Sequence, residues 1–380
     1  MQYNRRHAFK LLGLALALSG LGLSATAHSD DDDNDDNYGS RSGHVFTSTN
    51  AVAGNELLVY AAPRSGGLTL EARLATQGQG AGTGLGNQGA VTLSRDGRFL
   101  FVVNALSNTV STFAIRRKGL ELRSTVDSGG QQPISVTEQD GVVYVLNAAG
   151  AGNVTGFRNA AGTLKALSGN TQPLSAAGGT GPAQVGFSPD GDVLLVTEKA
   201  TNKLISYRVR RDGRIDAPIV TASAGVTPFG FAFDRRGRAL VSEAFGGAAN
   251  ASAVSSYGFE EWAPAKPVVI SASVADTQSA ACWVVTTPNG RYAYVTNTGS
   301  GTVSSYSIQK SGKLTLAQAV AATTGAGPID AAVSADGRGL FVLNARSNSI
   351  TAHGIAGDGS LTPGSVATGL PAGSNGLAAN

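Results

Sequence analysis

Short runs of apolar or alternating residues, each bounded by turn-forming residues, follow one another from residue 44 to the C-terminus. Five of the turns, those between the first and second strands of a repeating unit, contain Asp-Gly or Asn-Gly, which supplies the positive φ angles of tight hairpins. These turns are Asp96-Gly97, Asp140-Gly141, Asp190-Gly191, Asn289-Gly290 and Asp336-Gly337. No segment of this region keeps the 3.6-residue apolar period of an amphipathic helix. The pattern therefore predicts an all-β chain built from strands and hairpins.

A longer unit repeats seven times within these strands. Each copy has an apolar strand that ends in Asn or Glu, followed by a strand that ends near an aromatic residue. The terminal residues of the apolar strands are Asn50, Asn104, Asn147, Glu198, Glu243, Asn297 and Asn344. Their spacing of roughly 43 to 54 residues fits one four-stranded blade per copy, with loops of variable length. The sequence thus predicts a seven-bladed β-propeller.

The two ends of the repeat region predict how the ring closes. The N-terminal copy begins directly with its second strand, at His44, whereas residues 374–379 look like the first strand of a further copy. We expect this C-terminal strand to complete the N-terminal blade, so that no open sheet edge is left at the join.

The repeat resembles a known family. Residues 294–297 read Tyr-Val-Thr-Asn, and nearly the whole region from residue 44 onward resembles the YVTN-repeat, lactonase-like propellers related to phosphogluconolactonase and carboxymuconate cyclase. The resemblance implies lactone hydrolysis, or the related lactone-forming cyclisation, at one mouth of the central channel. In that family, first strands begin and second strands end at this mouth, so the resemblance implies the same for the present chain. Because such blades also serve binding scaffolds, the resemblance predicts the fold more specifically than the chemistry.

Two carboxylates are the predicted catalytic residues. Glu198 and Glu243 stand where the other five copies have Asn, and a carboxylate at the mouth could activate a water to attack a lactone carbonyl. The alternative is that Asn and Glu at these positions accept hydrogen bonds from a neighbouring loop and cap the blade. By the resemblance, enzymes of the family place Arg or His just after the proline of the first strand, where this chain has Ala183-Gln184.

Further residues are expected at the same mouth. The predicted substrate-binding residues, for a small lactone or carbohydrate, are Gln184, Asn147, Asn297, Asp330 and Trp283. No cofactor is required, although oxygen ligands on the channel axis could hold a divalent ion such as calcium, which would polarise the carbonyl and activate water. The predicted ligands of such an ion are Glu198, Asn104, Asn147 and Asp330.

The sequence gives little support for catalysis by histidine or cysteine. His353 fills a position that is aromatic in other copies and is expected to pack there, so a Ser-His-Asp arrangement has no candidate base. Cys282 is the only cysteine and begins an apolar strand, which predicts a buried small side chain.

The N-terminus predicts export. A basic start with Arg5 and Arg6 precedes an apolar run, Leu11 to Leu23, and a small-residue cleavage site ending at Ala27. We interpret residues 1–27 as a signal peptide of the Sec or twin-arginine type, residues 28–43 as an acidic tether, and residues 44–380 as the propeller, in the periplasm or outside the cell.

Charge limits the partners. The chain has 29 Lys and Arg against 26 Asp and Glu. Without the three basic residues of the predicted signal peptide, the numbers of basic and acidic residues are equal. This balance argues against a nucleic-acid partner, and no later segment is apolar enough to span a membrane. The sequence therefore predicts an exported monomer that hydrolyses or binds a small cyclic ester or carbohydrate. The alternative is a non-catalytic scaffold that binds a ligand or a protein partner.

Overall fold

The computed structural model describes residues 43–63, 67–260 and 265–380. The predicted signal peptide lies outside the described residues, as does the predicted tether up to residue 42, and both stay predictions. The first strand begins at Gly43, one residue before the boundary expected for the propeller.

Seven antiparallel sheets of four strands each make up the fold. From the channel outward, blade 1 contains β28 (Asn375–Ala379), β1 (Gly43–Ser48), β2 (Glu56–Ala62) and β3 (Thr69–Ala75). Blade 2 contains β4 (Val91–Leu93), β5 (Phe99–Asn104), β6 (Thr109–Arg116) and β7 (Gly119–Asp127), and blade 3 contains β8 (Gln131–Gln139), β9 (Val142–Ala149), β10 (Asn153–Ala160) and β11 (Thr163–Pro173). Blade 4 contains β12 (Pro182–Phe187), β13 (Val193–Glu198), β14 (Lys203–Arg208) and β15 (Ile219–Ala222), and blade 5 contains β16 (Pro228–Phe233), β17 (Ala239–Glu243), β18 (Ala253–Phe259) and β19 (Pro267–Ala275). Blade 6 contains β20 (Ala281–Thr286), β21 (Tyr292–Asn297), β22 (Thr302–Ile308) and β23 (Leu314–Thr323), and blade 7 contains β24 (Pro328–Val333), β25 (Gly339–Asn344), β26 (Ser349–Ile355) and β27 (Leu361–Thr368).

The inner strands form a closed ring around a central channel. Each inner strand contacts the inner strands of the two neighbouring blades, and β28 contacts both β24 and β4. In blade 1, β28 pairs with β1, with Phe46 opposite Ala378. The structure thus confirms the seven-bladed propeller and its closure by the C-terminal strand.

The hydrophobic core lies between blades. Between blades 3 and 4, for example, Tyr144 and Leu146 pack in one cluster with Leu194 and Tyr207, all of them fully buried. Each sheet therefore buries both faces against its neighbours, which explains why the middle of the second strand is mostly apolar, with no alternation of apolar and polar residues.

The turns predicted from Asp-Gly and Asn-Gly lie between the first and second strands of their blades. The glycine has positive φ in all five, and at Asp140-Gly141 both residues do, with φ of 49° and 77°. The one helical segment among the described residues is a 3₁₀ turn at Phe245–Gly247. No helix in the described residues has the length and apolar character needed to cross a bilayer.

Candidate functional site

The strand pairing places two sets of predicted residues at one end of the channel. The start of each inner strand pairs with the end of the second strand, as Pro182 does with Glu198 and Pro228 with Glu243. We call this end the top face, and the opposite end, which carries the Asp-Gly turns, the bottom face.

Glu198 is fully buried in the junction between blades 3 and 4. Its Oε1 accepts a hydrogen bond from the backbone N–H of Ser175 (2.9 Å), and its Oε2 accepts from the hydroxyls of Ser175 and Thr201 (2.5 Å each). Ser175 belongs to the connection between β11 and β12. The carboxylate therefore fixes the loop that joins two blades, and both of its oxygens are engaged.

Glu243 is buried in the same way within blade 5. Its oxygens accept hydrogen bonds from the hydroxyls of Ser255 (2.5 Å) and Ser273 (2.6 Å). Burial raises the pKa of the Glu243 carboxyl, against the opposing effect of these hydrogen bonds. A catalytic role for Glu198 or Glu243 stays a prediction, but the contacts are those expected of the capping alternative.

The asparagines at the equivalent positions make the same kind of contact. Asn104 accepts hydrogen bonds from Asn55 Nδ2 (3.0 Å) and Thr76 Oγ1 (2.8 Å), and its amide donates to Ser111 (2.8 Å). Asn147 donates to the carbonyl of Ser128 (3.1 Å) in the connection between blades 2 and 3. Asn297 and Asn344 donate to hydroxyls of the third strand of their own blade, among them Ser304 and Thr351.

The four predicted metal ligands lie in four different blades, and the calcium site stays a prediction. Asn104, Asn147 and Glu198 each lie in a different blade, with separate hydrogen-bond partners. Asp330 belongs to blade 7, where its carboxylate accepts from the backbone N–H groups of Ala331 (2.8 Å) and Leu377 (3.0 Å). The described residues contain no cluster of three or more His, Cys, Asp or Glu that could hold a metal ion.

Asp330 connects blade 7 to the closing strand β28. The carboxylate is buried, and burial raises its pKa well above the ordinary value. Gln184 has the corresponding role between blades 4 and 5, because its Oε1 accepts from the N–H of Phe231 (2.6 Å). Ser135 does the same between blades 3 and 4, accepting from the N–H of Val185 (3.2 Å). These side chains bridge adjacent inner strands.

The centre of the top face is filled by the chain itself. Residues 84–88, which we call the plug, belong to the connection between β3 and β4, the longest connection between blades in the described part of the chain. Asn87 and Gln88 are buried and reach four blades. Asn87 Nδ2 donates to Ile134 O and its Oδ1 accepts from Asn375 Nδ2 (3.0 Å). The backbone N–H of Gln88 donates to Ala183 O (3.0 Å).

On the far side of the channel, the plug contacts blade 6. Trp283 Nε1 donates to the carbonyl of Asn87 (2.5 Å), and the Gln88 amide both donates to Val284 O (3.0 Å) and accepts from Val284 N (3.3 Å). The Trp283 ring lies 5.0 Å from that of Phe229. The predicted substrate-binding residue Trp283 therefore holds the plug.

Lys199 is a cation at the same mouth that the sequence analysis did not single out. Its Nζ donates to the carbonyl of Gly86 in the plug and lies 4.5 Å from the centre of the Phe229 ring. Burial lowers the pKa of Lys199 to about 8. The sequence holds one indication that Lys199 lies at this mouth. Lys199 directly follows Glu198, which the repeat already assigns to the top face.

Below the plug, the inner strands line an open cavity of about 320 Å³. Strands of blades 2 to 5 form its walls, which extend toward the bottom face at Pro189. The lining residues are Gly89, Thr92, Val136, Thr137, Gln184, Val185, Gly186, Phe187, Pro189, Phe231, Ala232 and Phe233. None of these carries an ionisable side chain. The walls are aromatic and aliphatic, with polar groups from Thr92, Thr137 and Gln184.

Comparison with known proteins agrees with this architecture. The family "Lactonase, 7-bladed beta-propeller" matches residues 53–170, 152–260 and 246–379. A protein of known structure from Lactobacillus plantarum is 18% identical, with 89% of this chain and 99% of that chain covered and a TM-score of 0.71. A periplasmic gluconolactonase from Pseudomonas aeruginosa is 16% identical, with 88% and 99% covered and a TM-score of 0.67. No curated protein sequence matches.

A closed ring of seven four-stranded blades, with a ligand-sized cavity in its channel, defines the chain as a seven-bladed propeller. With the family match spanning nearly the whole ring, the chain belongs to the lactonase family of seven-bladed β-propellers.

Proposed function

We propose that this chain is an exported, ligand-binding member of the lactonase family, which holds a small neutral ring compound, a cyclic ester or carbohydrate, in the channel. The observation that carries the proposal is the lining of the channel cavity, in which no side chain is ionisable. A charged ligand would lose its hydration there without gaining a counter-charge. Aromatic walls with a few polar groups suit a neutral ring.

Gln184 is the main polar contact in this proposal. Its Oε1 is engaged by the N–H of Phe231, whereas its Nε2 has no hydrogen-bond partner among the described residues. That N–H₂ group is available to donate to a carbonyl or ring oxygen of the ligand. The Thr92 and Thr137 hydroxyls add further polar contact on the walls.

Hydrolysis of the bound ring is the second candidate, and it draws support from the family. The Pseudomonas aeruginosa relative is described as a periplasmic gluconolactonase. Hydrolysis by this chain would require a general base. Glu198 could act as one only after exchanging its hydrogen bonds to Ser175 and Thr201, so the geometry favours binding over hydrolysis.

The binding proposal is tested by titrating the purified protein with neutral lactones and sugars, starting with glucono-δ-lactone, in a calorimeter. The Ala232→Phe variant would fill the cavity, and Ala335→Phe, on an exposed turn of blade 7, is the matched control. We expect one ligand per chain, an affinity at least ten-fold weaker in Ala232→Phe, and no change in the control. Absence of binding to every compound, or equal affinity in Ala232→Phe, would contradict the proposal.

Export is supported by the pattern of residues 1–27 and is tested separately. We expect the protein to accumulate in the periplasmic fraction or the medium of a bacterial host, with an N-terminus that follows Ala27. Recovery of the uncleaved chain from the cytoplasm would contradict this part of the proposal.

A further inference from the structure

The plug makes the contacts that a bound ligand would make. Two successive carbonyl oxygens, those of Gly86 and Asn87, accept hydrogen bonds from Lys199 Nζ and Trp283 Nε1. These donors come from blades 4 and 6, on separate sides of the channel. The aromatic rings of Phe229 and Trp283 lie beside them. Donors and flat apolar surfaces that converge on carbonyl groups are typical of a site for an oxygen-rich ligand.

The inner strand of blade 5 is adapted to receive the plug. At the position where Gln184 and Asp330 bridge to the next blade, blade 5 has Gly230. A Cβ atom at Gly230 would overlap Gln88 Oε1 and would also come too close to the backbone carbonyl of Cys282 in blade 6. Gln88 supplies the hydrogen bonds to Val284 of blade 6 instead. The absence of a side chain at residue 230 thus leaves room for the side chain of Gln88.

The plug is attached to the ring through a glycine-rich segment. Gly78, Gly80, Gly82, Gly84 and Gly86 alternate through it, and Gly82 and Gly86 have positive φ. Asn50 anchors the start of this segment, since its side chain accepts from Ala81 N (2.8 Å) and donates to Thr83 O (2.8 Å). Between this anchor and Asn87, Leu85 packs against the cores on both sides of blade 3 and Lys199 binds the carbonyl of Gly86. The glycines leave more backbone conformations open to the rest of the segment.

We propose that residues 84–88 are a tethered, displaceable plug that occupies a binding site at the top of the channel as a substitute for a ligand. The site beneath it is formed by Lys199, Phe229 and Trp283, and it takes a flat compound with carboxylate or carbonyl oxygens. Closure at the top leaves the bottom face as the entrance to the cavity in the resting protein. This inference rests on the contacts of the plug and not on the ligand proposed for the cavity.

The test uses the chain's only cysteine as a reporter. Cys282 is 6% exposed and precedes Trp283 on β20. The double variant Asn87→Ala/Gln88→Ala removes the side-chain contacts of the plug, and Gln79→Ala, an exposed position in the same connection, is the matched control. We expect the thiol of the double variant to react with an aromatic disulfide reagent at least ten-fold faster than in the wild type or in Gln79→Ala.

A second readout reports on the exposed site itself. The probe 1-anilinonaphthalene-8-sulfonate is an aromatic anion, whose sulfonate can pair with Lys199 and whose naphthalene ring can stack on Phe229 and Trp283. We expect it to bind the double variant with one-to-one stoichiometry, to leave the wild type unbound, and to lose affinity at least ten-fold when Lys199→Met is added. The loss on Lys199→Met separates this site from general exposure of the core.

Three results would overturn the proposal. The first is a folded double variant whose Cys282 reacts no faster than the wild type. The second is probe binding that is indifferent to Lys199→Met. The third is a double variant that no longer shows cooperative unfolding by circular dichroism, because residues 84–88 would then be part of the fold's core and not a displaceable plug.

Discussion

Replacement of Glu198 by alanine tests whether this carboxylate holds two blades together. The carboxylate accepts three hydrogen bonds, two from Ser175 and one from Thr201, and it is fully buried. Hydrogen bonds to charged groups contribute about 1.5–3 kcal/mol each, and the loss is reduced because a buried charge is removed with the side chain. We therefore expect Glu198→Ala to lower the free energy of unfolding by about 3–4 kcal/mol.

Glu198→Gln provides the graded comparison. Glutamine keeps one carbonyl oxygen as an acceptor, so we expect a smaller loss of about 1–2 kcal/mol. The exposed Glu121, which forms surface ion pairs with Arg116 and Arg123, is the matched control and should change stability by less than about 0.5 kcal/mol on replacement by alanine. Urea denaturation followed by circular dichroism measures all three variants. A Glu198→Ala protein as stable as the wild type would refute the assignment of this residue to the blade junction.

Three further predictions concern stability. His353 is buried, and neither ring nitrogen has a hydrogen-bond partner among the described residues. Burial lowers the pKa of His353 below the ordinary 6.5, so the wild type should lose stability as the pH falls below about 6.5. His353→Phe should remove that loss and stabilise the protein by about 1 kcal/mol in denaturant titrations at several pH values. Asp330→Ala should cost about 1–3 kcal/mol and speed hydrogen exchange at Leu377, because the closing strand loses its acceptor. Tyr207→Phe should cost about 1 kcal/mol in thermal unfolding, because the hydroxyl donates to the carbonyl of Pro173 (2.8 Å).

The fold could be predicted from the sequence because the repeat specifies it locally. Each blade carries its own apolar strand, hairpin turn and terminal Asn or Glu, so seven independent copies support the same architecture. Ring closure followed from comparing the two ends, since β28 completes the blade that begins at Gly43. Because the blades are alike and pack against one another, the repeat alone predicts that the hydrophobic core lies between blades.

The direction of the Glu198 side chain could not be predicted in the same way. Its strand position was correct, since Glu198 pairs with Pro182 at the top face. Whether a side chain at such a strand end reaches the channel or the blade junction depends on the loop beside it, and Ser175 supplies two of the three donors. Ser175 lies outside the repeated pattern, so the repeat carries no information about this contact.

The plug was beyond sequence reasoning for a different reason. Gln88 bonds to Val284, a residue 196 positions away on the opposite side of the ring, and no local pattern encodes such a contact. The glycine-rich composition of residues 78–89 indicates a connection between blades, and these residues do join β3 to β4. That this segment also enters the channel can be inferred only from the position of Gly230 in three dimensions.

Proton release from a panel of neutral lactones, measured with the mature protein with and without calcium and beside Glu198→Gln, tests the central claim most directly. We expect the protein to bind lactones and we expect no proton release that Glu198→Gln abolishes. The reason is that the Glu198 carboxylate is already hydrogen-bonded in the junction between blades 3 and 4. Release that is rapid in the wild type and lost in a Glu198→Gln protein of nearly unchanged stability would contradict this account and establish a hydrolase with Glu198 as its base.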